Sequence, residues 1–233
     1  MSDIEIGGLV SFTTIDYPGK LAAVLFLVGC PLRCVYCSNP HLLNPGAGEY
    51  DASKVFDWLH SRVGKLEAVV FSGGEALMQG APVIEYMTRV RDLGFQIGLH
   101  TNGFYPEMLK RVAGIVDWIG LDYKATRQKY EQLVGQSVAF DNMSKSLDFW
   151  LSTGRGIEVR VTCDPRFVDK NDLLAIADDC AGRGVKNIAI QKYIPHFESG
   201  QTPTTVAMRD QFFTDDALRQ KINSMFESVV WRE

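Results

Sequence analysis

Short apolar runs alternate along this chain with longer segments in which apolar residues recur at helical spacing. The apolar runs predict six strands, at residues 22–28, 68–71, 96–99, 118–122, 158–162 and 187–193. The longer segments predict helices at residues 52–63, 82–93, 106–112, 142–152, 171–182 and 214–226. A tail at residues 229–232 predicts a short final strand. Strands that alternate with helices indicate βαβ units and a parallel sheet.

The connections between these elements carry signals for helix ends. Asp51 precedes the first helix as a capping residue, and Gly94 and Gly184 stand where helices are expected to end. The loops are short enough for one compact domain, and α/β barrels often reach a length of 233 residues as a single domain. We therefore predict one α/β domain over residues 1–233, built as an open doubly wound sheet or as a partial barrel.

Polar and glycine-rich motifs stand at the carboxyl ends of the predicted strands. In chain order they are the cysteine loop at 30–37, Ser72-Gly-Gly-Glu75, His100-Thr-Asn-Gly103, Asp122-Tyr-Lys124, Arg160 within the fifth strand, and Gln191-Lys192 in the sixth. Barrels and open sheets both build ligand sites at the carboxyl ends of parallel strands. Six motifs in succession at this face predict one shared site.

The first motif, Cys30-Pro-Leu-Arg-Cys34-Val-Tyr-Cys37, places three of the five cysteines in one loop. Iron–sulfur clusters are normally held by four cysteines, so three thiolates leave one iron open to a substrate. The alternatives are three incidental core cysteines or a zinc site. For zinc, His41 is the nearest candidate for a fourth ligand, although zinc loops favour paired Cys-x-x-Cys units. The remaining pair, Cys163 and Cys180, is expected to behave as small buried hydrophobic residues.

Two further motifs offer hydrogen-bonding groups. The glycine turn before Glu75 is expected to leave backbone groups exposed beside a buried carboxylate, which suits a ligand ammonium group. The alternative is a plain strand-to-helix turn. Thr101 and Asn102 offer a hydroxyl and an amide, and the alternative there is an ordinary Asn-Gly turn.

Charged residues end the fourth strand and interrupt the fifth. Asp122 and Lys124 lie two positions apart, so their side chains are expected on the same side of the strand. Arg160 stands in an otherwise apolar stretch. These three residues predict either a site for a polar ligand or a structural salt bridge.

The charge and composition of the chain limit the binding partners and the cellular location that we expect. The formal net charge of -4 argues against nucleic acid, whose binding usually requires a basic face. The first residues lack the pattern of a secretory signal, and the longest apolar run, at 21–28, is too short to span a bilayer. An odd number of cysteines, three of them clustered, indicates a reducing cytoplasm rather than a disulfide framework.

Taken together, the motifs resemble those of the radical S-adenosylmethionine (radical SAM) superfamily, with Cys-x-x-x-Cys-x-x-Cys after one strand and Gly-Gly-Glu after the next. Residues 9–20 and 29–40 resemble more specifically the activating proteins of anaerobic ribonucleoside-triphosphate reductase. The motifs Ser72-Gly-Gly-Glu75, Thr101-Asn-Gly-Phe104 and Leu121-Asp-Tyr-Lys124 also resemble the related pyruvate formate-lyase activating enzyme. The resemblance covers nearly the whole chain.

This resemblance implies a partial (β/α)6 barrel of the TIM type and a [4Fe-4S] cluster held by Cys30, Cys34 and Cys37. It implies that the fourth iron binds the amino and carboxylate groups of S-adenosylmethionine. Reductive cleavage then gives methionine and a 5′-deoxyadenosyl radical, which abstracts hydrogen from a glycine of a partner enzyme. The implied partners are a glycyl-radical enzyme, specifically anaerobic ribonucleoside-triphosphate reductase, and a flavodoxin- or ferredoxin-type electron donor.

The resemblance also implies a role for each cofactor-binding residue. Gly74 and Glu75 are expected to meet the methionyl amine, and Asp122 and Lys124 to hold the methionyl and ribose part. The nucleoside is expected to contact Tyr36, Ser38 and Asn39. The rest of the expected cofactor site is formed by Thr101, Asn102 and Arg160.

The chain departs from the family pattern at three places. Ser38 follows the last cysteine, where the family usually has His. His100 replaces an Asp that helps bind a monovalent cation in the formate-lyase activase, so we do not expect that type of cation site. A late His that contacts the cofactor in that relative would fall near Ile194, and His196 is out of register with it. There is also no room between Cys37 and the glycine motif for an insert with ferredoxin-like clusters.

Two other functions stay open at this point. One is a radical SAM enzyme that acts on a small molecule, because fold and cofactor do not fix the substrate. The other is a binding protein stabilised by zinc or by a redox cluster, which would not bind S-adenosylmethionine.

Overall fold

A computed structural model describes residues 4–195 and 203–233. Its frame is one eight-stranded sheet in which the strands follow one another in chain order. The strands are β1 (Ile6–Thr13), β2 (Ala22–Leu27), β3 (Ala68–Gly73), β4 (Gln96–Thr101), β5 (Trp118–Asp122), β6 (Gly156–Cys163), β7 (Asn187–Lys192) and β8 (Ser228–Arg232). Strands β2 to β8 run parallel, and β1 pairs antiparallel with β2. Among the described residues β1 and β8 do not pair, so the predicted partial barrel is confirmed.

Helices connect the parallel strands. They are α1 (Ala52–His60), α2 (Ala81–Asp92), α3 (Pro106–Val112), α4 (Arg127–Val134), α5 (Ala139–Ser152), α6 (Lys170–Gly182), α7 (Val206–Asp210) and α8 (Asp216–Asn223). The predicted cap of α1 is confirmed, since the Asp51 side chain accepts hydrogen bonds from the backbone N–H groups of Ser53 and Lys54. None of the helices in the described part of the chain is long and apolar enough to cross a membrane.

The two faces of the sheet bury different sets of side chains. On β2, Leu25 and Leu27 pack into the large core shared with the helices. Ala22 and Val24 point the other way, into a smaller inner cluster with Ala68, Val70, Tyr17 and Trp118. Burial on both faces explains why β2 reads as an unbroken apolar run in the sequence.

The turn between β1 and β2 fills the inner face near the amino ends of the strands. The Tyr17 ring stacks on Trp118 with 5.0 Å between ring centroids. Gly98 leaves the space that this ring needs, because a Cβ atom there would lie 3.0 Å from Tyr17 Cδ1. The turn also reaches the opposite end of the inner face, since His100 Nε2 lies 2.8 Å from the Asp16 carbonyl oxygen.

Candidate active site

One cavity of about 290 Å³ lies at the carboxyl ends of the parallel strands. It collects every site residue predicted from the sequence except Glu75, namely Cys30, Cys34, Tyr36, Cys37, Ser38, Asn39, Gly74, Thr101, Asn102, Asp122, Lys124 and Arg160. The structure therefore brings the predicted motifs together around one space, as expected for residues at successive strand ends.

The cysteine loop is fixed to its neighbours by backbone hydrogen bonds. The Cys30 N–H donates to the Leu43 carbonyl oxygen at 3.0 Å, and the Arg33 N–H donates to Val134 at the end of α4 at 2.9 Å. The Arg33 guanidinium also donates to the Cys30 carbonyl oxygen at 2.7 Å. These contacts hold the loop from both sides, so the three thiols reach the cavity from a rigid frame.

Burial favours the neutral form of two of the three loop thiols, those of Cys30 and Cys34. Burial raises the pKa of Cys30 to about 12, and burial also raises the pKa of Cys34, although the nearby Lys124 ammonium group partly offsets it. Thiolates rather than thiols bind metals. Loading of a metal group at this loop therefore releases protons, and Lys124 provides the positive charge that stabilises a thiolate at Cys34.

The donor set fits an iron–sulfur cluster. All five cysteines are free, and three of them line the cavity. No group of three His, Cys, Asp or Glu side chains within residues 4–195 and 203–233 converges as ligands of one metal ion. A four-iron cluster does not require that convergence, because each cysteine binds a separate iron. The two other cysteines, Cys163 and Cys180, are fully buried away from the cavity, as the sequence predicts.

Asp122 joins two cations at the cavity wall. Its carboxylate accepts from Lys124 Nζ at 3.0 Å and from Arg160 Nε at 3.1 Å. Burial would raise the pKa of Asp122, but the two cations outweigh it and hold the pKa at about 2. Burial likewise acts to lower the pKa of Lys124, and the adjacent Asp122 carboxylate raises it well above its usual value. The predicted salt bridge is therefore present and faces the cavity, where its charges are available to a zwitterionic ligand.

Glu75 lies behind the cavity wall. Only 1% of its surface is exposed, and its carboxylate accepts from the Thr101 hydroxyl at 2.9 Å and from the Asn102 backbone N–H at 2.8 Å. Burial raises the pKa of Glu75 to about 7, although these hydrogen bonds act in the opposite direction. The carboxylate therefore holds the turn after β4, and its expected contact with a ligand amine stays a prediction.

The backbone of the glycine turn before Glu75 differs from the prediction. The N–H groups of Gly74 and Glu75 donate to the carbonyl oxygens of Leu27 and Gly29, so the expectation of exposed N–H groups here is wrong. A Cβ atom on Gly74 would lie 2.3 Å from the Gly29 oxygen. The glycine is needed for the close approach of this turn to the start of the cysteine loop.

The Tyr36 hydroxyl is a buried polar group without a partner among the described residues. Its ring lies 6.3 Å from that of Tyr193, and Lys124 Nζ lies 5.8 Å from the ring centroid. A buried hydroxyl that makes no hydrogen bond is costly. Tyr36 lines the cavity while its hydroxyl oxygen is covered, so a polar ligand would satisfy this hydroxyl only after displacing the atoms that cover it.

The sequence motifs placed His100 and Gln191 at this face without giving them a cofactor role, and Thr162 was not predicted as a site residue. His100, Thr162 and Gln191 all line the cavity. The feature of the sequence that marks them as site residues is their position, since each stands at or near the carboxyl end of β4, β6 or β7. Ile194, where the relative's late histidine would fall, is 65% exposed, and His196 lies outside the described residues.

Comparison with known proteins decides the family. The profile described as the Radical SAM superfamily matches residues 24–155, which is more than half of the chain and includes the cysteine loop. The chain belongs to the radical SAM superfamily. The resemblance read from the sequence motifs is thereby confirmed, and the protein is an enzyme of the radical SAM type.

Relatives within the superfamily span nearly the same length as this radical SAM enzyme. A protein of Methanocaldococcus jannaschii, named as a glycyl-radical enzyme activating enzyme, is 28% identical over 95% of this chain and 98% of its own. The pyruvate formate-lyase-activating enzyme of Clostridium pasteurianum is 27% identical over 97% of this chain and 98% of its own. Both of these homologues of the chain carry the names of enzymes that activate glycyl-radical enzymes or pyruvate formate-lyase.

A solved structure supports the radical SAM fold. Streptococcus suis SuiB bound to S-adenosylmethionine matches with a TM-score of 0.68 at 13% identity, over 87% of this chain and 47% of SuiB. The chain thus spans about half the length of that protein, and the likeness concerns the fold alone. Membership of the family implies S-adenosylmethionine and a [4Fe-4S] cluster as cofactors.

Proposed function

We propose that this radical SAM enzyme is a glycyl-radical enzyme activase that uses a [4Fe-4S] cluster held by Cys30, Cys34 and Cys37. The observation that carries the proposal is the convergence of three free cysteines and a paired set of charges on one cavity. A bound cluster of this type supplies one electron to S-adenosylmethionine, whose cleavage gives methionine and a 5′-deoxyadenosyl radical able to take hydrogen from a partner glycine. The chain length shared with two activating enzymes supports a glycine-bearing protein as the substrate.

The chain's own residues would bind and orient the cofactor. Lys124 and Arg160 present positive charge toward the methionyl carboxylate and ribose oxygens, and Asp122 holds both cations in place at about 3 Å. Tyr36 offers its unsatisfied hydroxyl and its ring to the nucleoside, with Ser38 and Asn39 at the same wall. The cavity is lined largely by buried or half-buried residues.

The partner we propose is anaerobic ribonucleoside-triphosphate reductase, because residues 9–20 and 29–40 resemble the activating proteins of that enzyme. Pyruvate formate-lyase is the competing partner, since a relative carries its name. We further propose a flavodoxin- or ferredoxin-type protein as the electron donor. A reducing cytoplasm as the location agrees with five free cysteines.

Electron paramagnetic resonance tests this function. Anaerobically reconstituted enzyme is mixed with S-adenosylmethionine, a reductant and either purified reductase or purified formate-lyase. The proposal expects a glycyl doublet on the reductase and a much weaker one on the formate-lyase. A doublet on the formate-lyase alone would keep the activase function and change the partner. Cofactor cleavage without a doublet on any glycyl-radical enzyme would favour the alternative, a radical SAM enzyme for a small molecule.

A further inference from the structure

The side-chain amide of Asn102 lies against the first cysteine of the loop. Asn102 Nδ2 is 3.7 Å from Cys30 Sγ, within reach of an N–H···S hydrogen bond, and only 6% of Asn102 is exposed. The orientation of the amide is fixed by its other end, because Oδ1 accepts from the Phe104 N–H at 3.0 Å. The nitrogen, and not the oxygen, therefore faces the sulfur.

A framework of hydrogen bonds holds Asn102 in that position. Its backbone N–H donates to the buried Glu75 carboxylate at 2.8 Å. The following residues are held from α5, where Ser146 Oγ donates to the Gly103 carbonyl oxygen at 2.7 Å and Asn142 Nδ2 donates to the Phe104 carbonyl oxygen at 3.0 Å. Neither α5 residue touches a cysteine in these contacts. The turn is thus anchored on two sides, and Asn102 alone extends from it to the cysteine loop.

We propose that Asn102 is a positioning residue that donates a hydrogen bond to the Cys30 thiolate of the cluster and raises the cluster's reduction potential. Hydrogen bonds to ligand sulfurs are one of the protein's means of setting iron–sulfur potentials, because a donor stabilises the added electron. Glu75 orients Asn102 through the backbone. The inference rests on the proposed function, since it requires a cluster on the three cysteines, and it gives Asn102 a role different from the expected contact with S-adenosylmethionine.

The test compares three variants of the reconstituted enzyme with the wild type. Asn102→Leu removes the donor, and Asn102→Asp replaces the amide with a carboxyl of the same shape and keeps the oxygen that caps Phe104. Asn142→Leu is the matched control, because it removes an amide from the same turn without touching Cys30. Iron content establishes loading, a redox titration gives the midpoint potential, and pulsed electron–nuclear resonance in D2O detects exchangeable deuterons near the reduced cluster.

The inference expects a lower midpoint potential in Asn102→Leu and the loss of one deuteron coupling that the wild type and Asn142→Leu retain. A carboxyl buried beside a thiolate takes up a proton and can itself donate, so Asn102→Asp should keep a deuteron coupling and shift the potential less than Asn102→Leu. Unchanged potential and coupling in Asn102→Leu would overturn the inference, as would an equal change in Asn142→Leu. A wild-type enzyme that holds no cluster would instead overturn the proposed function. Failure of the proposed function can therefore be distinguished from failure of the inference about Asn102.

Discussion

The imidazole Nε2 of His100 lies 2.8 Å from the backbone carbonyl oxygen of Asp16. A carbonyl oxygen only accepts hydrogen bonds, so Nε2 carries a hydrogen and donates it in this contact. The ring also meets Trp118 edge-on, with 5.8 Å between centroids. The contact fixes the turn after β1 to the wall of the cavity.

This neutral histidine predicts a loss of stability in acid. Burial, aided by the charge of Arg160, lowers the pKa of His100 to about 3 from an ordinary value of 6.5. Between those values the unfolded chain binds a proton that the folded chain does not, so the free energy of unfolding falls as the pH falls. From pH 7 to pH 5 the apo wild type should lose about 2 kcal/mol more than His100→Gln, which keeps an N–H for Asp16.

Urea unfolding of the apo proteins at the two pH values measures this difference. His60→Gln is the control, because His60 is exposed on α1 and its loss should leave the acid sensitivity of the wild type intact. Equal pH dependence of the wild type and His100→Gln would show that His100 takes up a proton in the folded protein as easily as in the unfolded one.

Replacing Asp122 should weaken binding of S-adenosylmethionine and spare the cluster. Asp122→Asn removes the charge that holds Lys124 and Arg160 at about 3 Å. A hydrogen bond to a charged group contributes about 1.5–3 kcal/mol, so affinity should fall roughly 10- to 100-fold. Anaerobic calorimetry measures affinity, and iron content reports the cluster. Asp148→Asn is the control, since Asp148 is 61% exposed and pairs with Arg183, and neither residue lines the cavity. If both variants bind S-adenosylmethionine equally well, Asp122 lies outside the cofactor site.

The unsatisfied Tyr36 hydroxyl predicts opposite effects on stability and affinity. Tyr36→Phe removes a buried group that lacks a partner among the described residues, which should stabilise the apo protein by about 1 kcal/mol. The same change should weaken S-adenosylmethionine binding severalfold if the hydroxyl bonds the nucleoside.

Tyr130 offers a matched control for that prediction. Its hydroxyl is also buried without a partner in the described part of the chain, and it does not line the cavity. Thermal unfolding and calorimetry should show Tyr130→Phe gaining stability with its affinity intact. A loss of affinity shared by both variants would argue for a general loosening of the wall instead of a contact at Tyr36.

Removal of one loop cysteine should abolish the cluster. Cys34→Ala leaves two thiolates, so the iron–sulfur absorbance and all reductive cleavage of S-adenosylmethionine should be lost. Cys180→Ala, at a fully buried cysteine on α6, should keep both. Cleavage that survives in Cys34→Ala would remove the assignment of the cluster to this loop.

The sequence predicted the strands and helices whose buried positions appear as a regular pattern of apolar residues. β2 is buried on both faces and was placed within one residue of its observed end. β1 was missed because it carries two glycines and several exposed positions, and α4 was missed because it buries only three of its eight residues. β1 lacks the regular alternation on which such a prediction depends, and α4 is shorter than the window of about 11 to 18 residues in which a helical period is recognised.

For the site as well, the sequence predicted where residues lie but not which groups they form hydrogen bonds with. Position along the strands predicted which residues gather around the cavity. It did not predict that the N–H groups of Gly74 and Glu75 bond the backbone of the neighbouring loop, or that Glu75 faces Thr101. Such partners depend on how closely two turns approach in space, and one sequence carries no signal for that distance.

The proposed activase function requires that the cofactor radical takes hydrogen from a glycine of a partner protein. The mass of the 5′-deoxyadenosine tests this step when the reduced enzyme and S-adenosylmethionine act on a glycyl-radical enzyme whose glycines carry deuterium at Cα. We expect 5′-deoxyadenosine that has gained one deuterium, in step with a glycyl doublet on the partner. Unlabelled 5′-deoxyadenosine formed in step with a glycyl doublet on the labelled partner would overturn the proposal.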